Sequence, residues 1–237
     1  MGISGGPYIV RDSSLVLELD AADKNSYAGS GTTWSDLSGN NNSGSLISGP
    51  TFNSNNGGNI VFNGTSQYIQ TPLQNISRPC TFSIWVKVNT LNGWMTFFGQ
   101  DTSVSIERGR FYFQKANITT ADVIKDRVNF SLVNSLGNLI TVNAINNIVA
   151  NVWYNYSAVL TNTSITLYEN GIFQNTRNDS NAFLTPNTTI LLGAGYFTNI
   201  IVDYLNGSIA ITQIYNRDLS ATEILQNYNE LKSRFDL

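Results

Sequence analysis

Hydrophobic and polar residues alternate with period two along most of the chain, the mark of strands that bury one face. In Cys80–Val88, positions Cys80, Phe82, Ile84, Val86 and Val88 share one face, while Thr81, Ser83, Trp85 and Lys87 share the other. Val152–Leu160 repeats the pattern, with Val152, Tyr154, Tyr156, Ala158 and Leu160 on one side. Shorter runs recur at Leu15–Leu19, Asn59–Phe62, Tyr68–Gln70, Trp94–Phe98, Val104–Glu107, Arg110–Phe113 and Leu139–Val142. Further runs lie at Ser164–Tyr168, Ile172–Gln174, Thr188–Leu192 and Ser208–Tyr215. Many short strands separated by Gly, Asn and Ser predict an antiparallel sandwich or barrel.

Asn63-Gly64, Asn170-Gly171 and Asn206-Gly207 each suit a tight turn, because both residue types tolerate positive φ. Trp34–Asn59 and Asn117–Gly137 read as long irregular stretches, which in a compact domain are functional or mobile. One helix is predicted, at the C-terminus. Ser220-Ala-Thr-Glu223 has the spacing of a capping box, with Leu219 and Ile224 placed as a hydrophobic staple. Ile224, Leu225, Tyr228 and Leu231 form one apolar stripe that should dock on the sandwich, and Lys232 and Arg234 suit the helix dipole.

Composition narrows the function. The 237 residues are 41% hydrophobic and 11% aromatic, enough to fill a two-sheet core. Only 12% are charged, against a usual share of roughly 25%, so the surface is solvated by Asn, Ser, Thr and Gly. Thirteen basic against sixteen acidic residues give a net charge of -3, unlike the basic surface of a nucleic-acid binder. No apolar stretch reaches the ~18 residues of a membrane helix. The opening Met1–Pro7 has neither a basic n-region nor an apolar core, so no signal peptide and no conventional export are expected. Cys80 has no intramolecular partner and reads as a small core residue.

Four segments, in order, resemble the laminin-G-like, concanavalin-A-like jelly-roll superfamily. They are Ile60–Ile69 with Phe62-Asn63-Gly64, the strand Thr81–Val86, Trp153 through Tyr168-Glu-Asn-Gly171, and Tyr204–Ile224. The last, Gly207-Ser-Ile209 followed by Tyr215-Asn-Arg-Asp-Leu-Ser220 and Glu223-Ile224, is the closest to the family pattern. The resemblance implies a two-sheet jelly roll over residues 15–237, preceded by an N-terminal arm, residues 1–14. Leu15–Ala22, Thr33–Asn40, Met1–Pro7 and Asn227–Phe235 are similar to versions of this domain in virion proteins of tailed phages, especially marine and cyanobacterial ones. That similarity implies a structural protein folded in the host cytoplasm and released by lysis.

The absence of histidine removes Ser-His-Asp and Cys-His catalysis and any His-built zinc site. The three-carboxylate strand of jelly-roll glucanases is also missing: Glu18 and Asp20 lack a third acid, and Glu107 adjoins Arg108. No enzyme is expected. Calcium, which takes six to eight hard oxygens, is the plausible cofactor: Asp20, Asp36 and Asn40 are its candidate ligands, with Asp23, Asp101 or Asp203 able to add a carboxylate. The alternative for Asp36–Asn42 is a solvated turn. For a sugar, aromatic platforms are needed beside amides, and Trp34, Tyr27, Trp94, Tyr196 and Phe197 lie in or beside expected loops. Trp85 and Trp153 sit on strands and read as buried. Asn-x-Ser/Thr triplets such as Asn63, Asn117, Asn155 and Asn206 reflect composition if the chain is not secreted. Two functions fit: a virion structural protein, as capsid decoration or tail fibre component, contacting other virion proteins as a homo-oligomer; or a lectin module recognising a host-surface glycan.

Overall fold

A computed structural model describes residues 8–73, 75–100, 111–182, 189–197 and 200–237. In chain order its strands begin with β1 (Leu15–Asp20), β2 (Thr33–Trp34), β3 (Gly44–Ile47), β4 (Thr51–Asn53), β5 (Asn59–Asn63) and β6 (Tyr68–Gln70). Next come β7 (Cys80–Val88), β8 (Met95–Gln100), β9 (Phe111–Lys115), β10 (Arg127–Val133), β11 (Leu139–Asn147) and β12 (Trp153–Leu160). They end with β13 (Ser164–Glu169), β14 (Ile172–Asn178), β15 (Ile190–Leu192), β16 (Gly195–Phe197), β17 (Ile200–Val202) and β18 (Asn206–Tyr215). Helix α1 (Ala221–Leu231) follows.

All pairings are antiparallel. One sheet runs β14-β13-β12-β7-β18-β5-β4, and β1 also pairs with β18. The other runs β11-β10-β9-β8-β15-β6-β3-β2, and β16 and β17 form a separate ribbon. This is the expected jelly-roll sandwich with a single short C-terminal helix. Strand β18 holds the first sheet together: one edge meets β7 throughout, while the other meets β5 at Asn206–Ile209 and β1 at Ile211–Tyr215.

The predicted inner faces are the inner faces. Phe82, Ile84, Val86, Tyr156, Ala158 and Leu160 enter the main core with Phe98, Phe113, Phe130 and Leu132 of the opposite sheet. Phe82 lies 5.1 Å from Phe98 and 5.6 Å from Phe130, ring centre to ring centre. Cys80 is fully buried there, and burial raises its thiol pKa well out of the reactive range.

The other face of β7 and β12 is not solvated, as simple alternation would have it. Trp85 and Trp153 are covered by α1 and the 3-10 turn Lys232–Phe235. The Phe235 ring centre stands 4.1 Å from Trp85 and 4.9 Å from Trp153, and Tyr228 stacks on Trp85 at 5.6 Å. Polar groups trapped beneath this layer pair with each other: Asn155 donates to Ser83 Oγ, and so does Ser157. The helix buries Ile224, Asn227 and Leu231, whereas Leu225 is 40% exposed and flanks the stripe rather than belonging to it. Its capping box is complete, Ser220 Oγ accepting from Glu223 N–H and Glu223 accepting from Ser220 N–H at 2.8 Å. Arg234 does not serve the helix dipole; it clamps Asp20 through Nη1 at 3.0 and 2.9 Å.

The described part of the N-terminal arm is not free either. Val10 N–H donates to Asn227 Oδ1 at 2.8 Å, Gln226 donates to the Tyr8 carbonyl, and Ile9 is buried against the helix layer. Met1–Pro7 and the expected strand Val104–Glu107 lie outside the described residues. Both stretches expected to be irregular contain strands. Trp34–Asn59 holds β3 and β4, and Asn117–Gly137 holds β10, whose Val128, Phe130 and Leu132 point inward.

Of the Asn-Gly turns, Asn170-Gly171 is one, with φ of 51° and 75°, the two left-handed residues of a type I′ hairpin. Asn206-Gly207 is not. It starts β18, and glycine is needed there because a Cβ at Gly207 would stand 2.1 Å from the Lys87 carbonyl oxygen.

Two outcomes follow. Phe235→Ala, which empties the space between two tryptophans, should lower the unfolding free energy by about 3–5 kcal/mol in urea titration. Hydrogen bonds from Arg217, with further ones from Ser220, hold the Glu223 carboxyl down at about 2, against an ordinary 4.5. Its folded pKa is depressed, so its contribution is present above the ordinary value and is lost as pH falls from there towards about 2. Glu223→Gln should therefore flatten the loss of stability across that window, measured by denaturation at stepped pH.

Candidate functional site

A cleft lined by described residues opens where β7 leaves the sandwich. After Val88 the chain makes a short excursion and returns as β8 at Met95. The facing wall is the Asp203–Asn206 link into β18. Gly64, Thr90, Asn92, Gly93, Trp94, Met95, Asp203, Tyr204 and Asn206 enclose about 560 Å³, a volume within the range of small-ligand sites.

Backbone bonds tie both walls to the sheets. Asn89 N–H donates to the Asn206 carbonyl at 2.9 Å, and the Asn89 and Asn206 side chains join at 3.1 Å. Thr96 N–H donates to the Asp203 carbonyl at 2.8 Å, which fixes Asp203 in a left-handed conformation, φ 53°. Asp tolerates that region because its short side chain bonds locally.

The excursion itself is held from within. Lys115 continues the inward face of β9, yet it is 0% exposed. Its ammonium donates to the Leu91 carbonyl and, at 2.9 Å, to the Gly93 carbonyl, and pairs with Asp126 at 3.2 Å. A buried cation needs such saturation, because an unpaired one is costly. Two carbonyls one residue apart are thereby pinned immediately before Trp94. The rim that results combines two half-buried aromatics, Trp94 and Tyr204, with the amides of Asn92 and Asn206 and the carboxylate of Asp203. Aromatic faces beside amides and a carboxylate match a ligand with apolar ring faces and hydroxyl edges.

Of the aromatics expected to meet sugar, only Trp94 lines this cleft. Trp34 is 0% exposed and belongs to the core, and Tyr27 is 3% exposed, with its hydroxyl donating to the Gly31 carbonyl and its ring against Phe52. Burial removes both from any surface platform. Tyr196 is half-buried on the β16–β17 ribbon, which packs so closely over β8 that a Cβ at Gly195 would meet Thr96 Oγ1 at 2.7 Å. Phe197 pairs with Ile200 through its backbone, and its side chain lies outside the described residues.

Of the expected calcium ligands, the carboxylates of Asp36, Asp20 and Asp23 accept from protein donors. Asp36 accepts from the N–H groups of Glu18, Ser38 and Asn42 and from Ser38 Oγ, filling both oxygens. Asp20 is clamped by Arg234, Asp23 closes its own turn through Asn25, and Asn40 donates to the Leu15 carbonyl. Asp101 lies outside the described residues. Among the described residues no three acidic or Cys side chains are grouped as a metal site. Glu18, the other early acid, is buried and held by Arg11 at 2.8 and 2.9 Å.

A family model described as the Concanavalin A-like lectin/glucanases superfamily matches residues 63–225. The chain belongs to that superfamily, in its laminin-G-like branch. No curated protein sequence matches it significantly. Among solved structures it is similar to domain 4 of AbnA, an extracellular GH43 arabinanase of Geobacillus stearothermophilus in complex with arabinotriose. The TM-score is 0.68 at 18% identity, over 91% of this chain and 98% of that one. It is also similar to the botulinum neurotoxin type G receptor binding domain (TM-score 0.64, 16% identity, 91% of this chain). The binding domain of botulinum neurotoxin DC, in complex with SialylT, gives 0.64 and 16% over 92%. The chain spans about half the length of the neurotoxin domains, 51% and 52%.

Because the acidic side chains of the Asp36 turn are filled by the protein, a chelator should leave the melting temperature unchanged in differential scanning calorimetry. Lys115→Met, which strips the cation from Asp126 and two buried carbonyls, should cost about 3–5 kcal/mol in urea unfolding.

Proposed function

We propose that this chain is a non-catalytic carbohydrate-binding jelly roll, and that the cleft between Trp94 and Tyr204 takes the sugar. The observation that carries this reading is the convergence of two accessible aromatics, two amides and one carboxylate on a cleft of about 560 Å³. A pyranose ring stacks its apolar face on an indole or phenol and offers its edge to amides. The lack of histidine and of a three-carboxylate strand supports binding without bond cleavage. A structurally similar domain in complex with arabinotriose agrees with the same class of ligand. Calcium has no part in this reading.

The place of action is proposed to be the surface of a tailed-phage particle, as capsid decoration or tail fibre component, with a bacterial surface glycan as the partner. The resemblance of Leu15–Ala22 and Thr33–Asn40 to phage virion domains supports that setting, as does a neutral, amide-rich surface. On a glycan array the protein should bind a restricted set of sugars, unaffected by chelator. Trp94→Ala should weaken the best of them by about tenfold or more, equivalent to roughly 1.4 kcal/mol, with melting unchanged. Uniform silence at high protein density would reject the lectin reading. Mass spectrometry of purified particles should detect the chain in stoichiometric amount, and its absence would reject the virion setting.

A further inference from the structure

The chain contains five Asn-Gly pairs, beginning at Asn56, Asn63, Asn92, Asn170 and Asn206. This dipeptide is the one most prone to spontaneous deamidation, since glycine has no Cβ to keep its backbone nitrogen from the preceding carboxamide. Four of the five are restrained. Asn56 donates to the Arg234 carbonyl and accepts from Trp153 Nε1 at 3.0 Å. Asn63 Oδ1 accepts from Thr65 and Ser66 N–H, Asn170 Oδ1 from Asn155 N–H, and Asn206 Oδ1 from Asn89. Each carboxamide is thereby held away from the following nitrogen.

Asn92 is different. It is exposed, and its carboxamide makes no hydrogen bond among the described residues. Gly93 is exposed with φ 77°, and nothing lies within 4 Å of where its Cβ would be. The Lys115 ammonium sits on the carbonyls of Leu91 and Gly93, on either side of the nitrogen that has to lose its proton. A neighbouring cation favours the amide anion.

We propose that Asn92 is a self-modification site that adds a second carboxylate to the cleft as the protein ages. The deprotonated Gly93 nitrogen attacks Asn92 Cγ, a C–N bond forms, and the Cγ–Nδ2 bond breaks with release of ammonia. Water then opens the succinimide to aspartate or isoaspartate at position 92. The net change is one water taken up and one ammonia lost, with no redox partner. The cleft gains a carboxylate on the wall facing Asp203, and the chain's formal charge of -3 becomes one unit more negative.

The test is a time course of the full chain at mildly alkaline pH and physiological temperature, read by peptide mapping and isoelectric focusing. In the folded protein a mass gain of about one dalton should accumulate on the peptide carrying Asn92, at least tenfold faster than on the other four. In concentrated urea all five should convert at comparable rates. Asn92→Gln should stop the folded protein from shifting to the acidic band. The proposal is overturned if another Asn-Gly pair converts first in the folded state, or if the Asn92→Gln protein acidifies as fast as the parent. It is also overturned if Asn92 stays intact while the unfolded chain converts. The map is read without any ligand, so its outcome is independent of whether the cleft binds a glycan.

Discussion

The first sheet has two apolar faces, and only one of them can meet the opposite sheet. Trp85 and Trp153 on the outer face need a cover of their own, and the chain supplies it from its end: Phe235 lies between them, with Tyr228 stacked on Trp85. Everything around this stack serves to keep it closed. Trp153 Nε1 is satisfied by Asn56, Asn56 donates to the carbonyl of Arg234, and Arg234 clamps Asp20 at the end of β1. A third layer thus joins residues from the beginning, the first quarter and the end of the chain. Stacked pairs of this kind contribute roughly 0.5–1.5 kcal/mol each beyond the area they bury, so losing the ring at their centre affects several contacts together.

The closing motif that marks the family is the hinge of the same layer. Tyr215 donates its hydroxyl to the Val10 carbonyl and accepts from Asn227. Arg217 bridges Asp12 and Glu223, while Leu219 and Ile224 are buried together with Tyr215. Each residue of the motif has a mechanical task in turning the chain from β18 into α1. Its turn residues from Tyr215 to Ile224 do not line the cleft, whereas Tyr204 and Asn206, at the start of the same matched segment, do. Solved domains at 14–18% identity share the sandwich.

Strands with strict alternation were legible from the sequence, and β7 has the expected bounds at both ends. Strand β10 was hidden because Asn129 and Ser131 alternate with its core residues inside an Asn/Ser-rich stretch, and those polar groups are buried by tertiary packing that local pattern does not report. Trp34 and Tyr27 were misplaced for the converse reason: a Gly/Asn-rich setting reads as solvent, yet both side chains turn inward. At the cleft, Trp94 was legible as an aromatic beside a loop. Tyr204 and Asn206 were not, since they meet Trp94 only through the pairing of β18 with β7. Lys115 carried a faint signal, a charged residue in phase with Phe113 on an inward face.

The position of β18 in the sheet has a consequence for biosynthesis. The strands it joins, β1, β5 and β7, leave the ribosome well before their shared partner. Until Tyr215 is out, β1 has no neighbour in the first sheet, and until Phe235 follows, two tryptophans stay in water. Contacts between such distant segments form slowly, because a long loop has to close first. The first sheet therefore cannot close until β18 and the Phe235 segment have been made, and in that interval open strand edges are exposed to neighbouring chains.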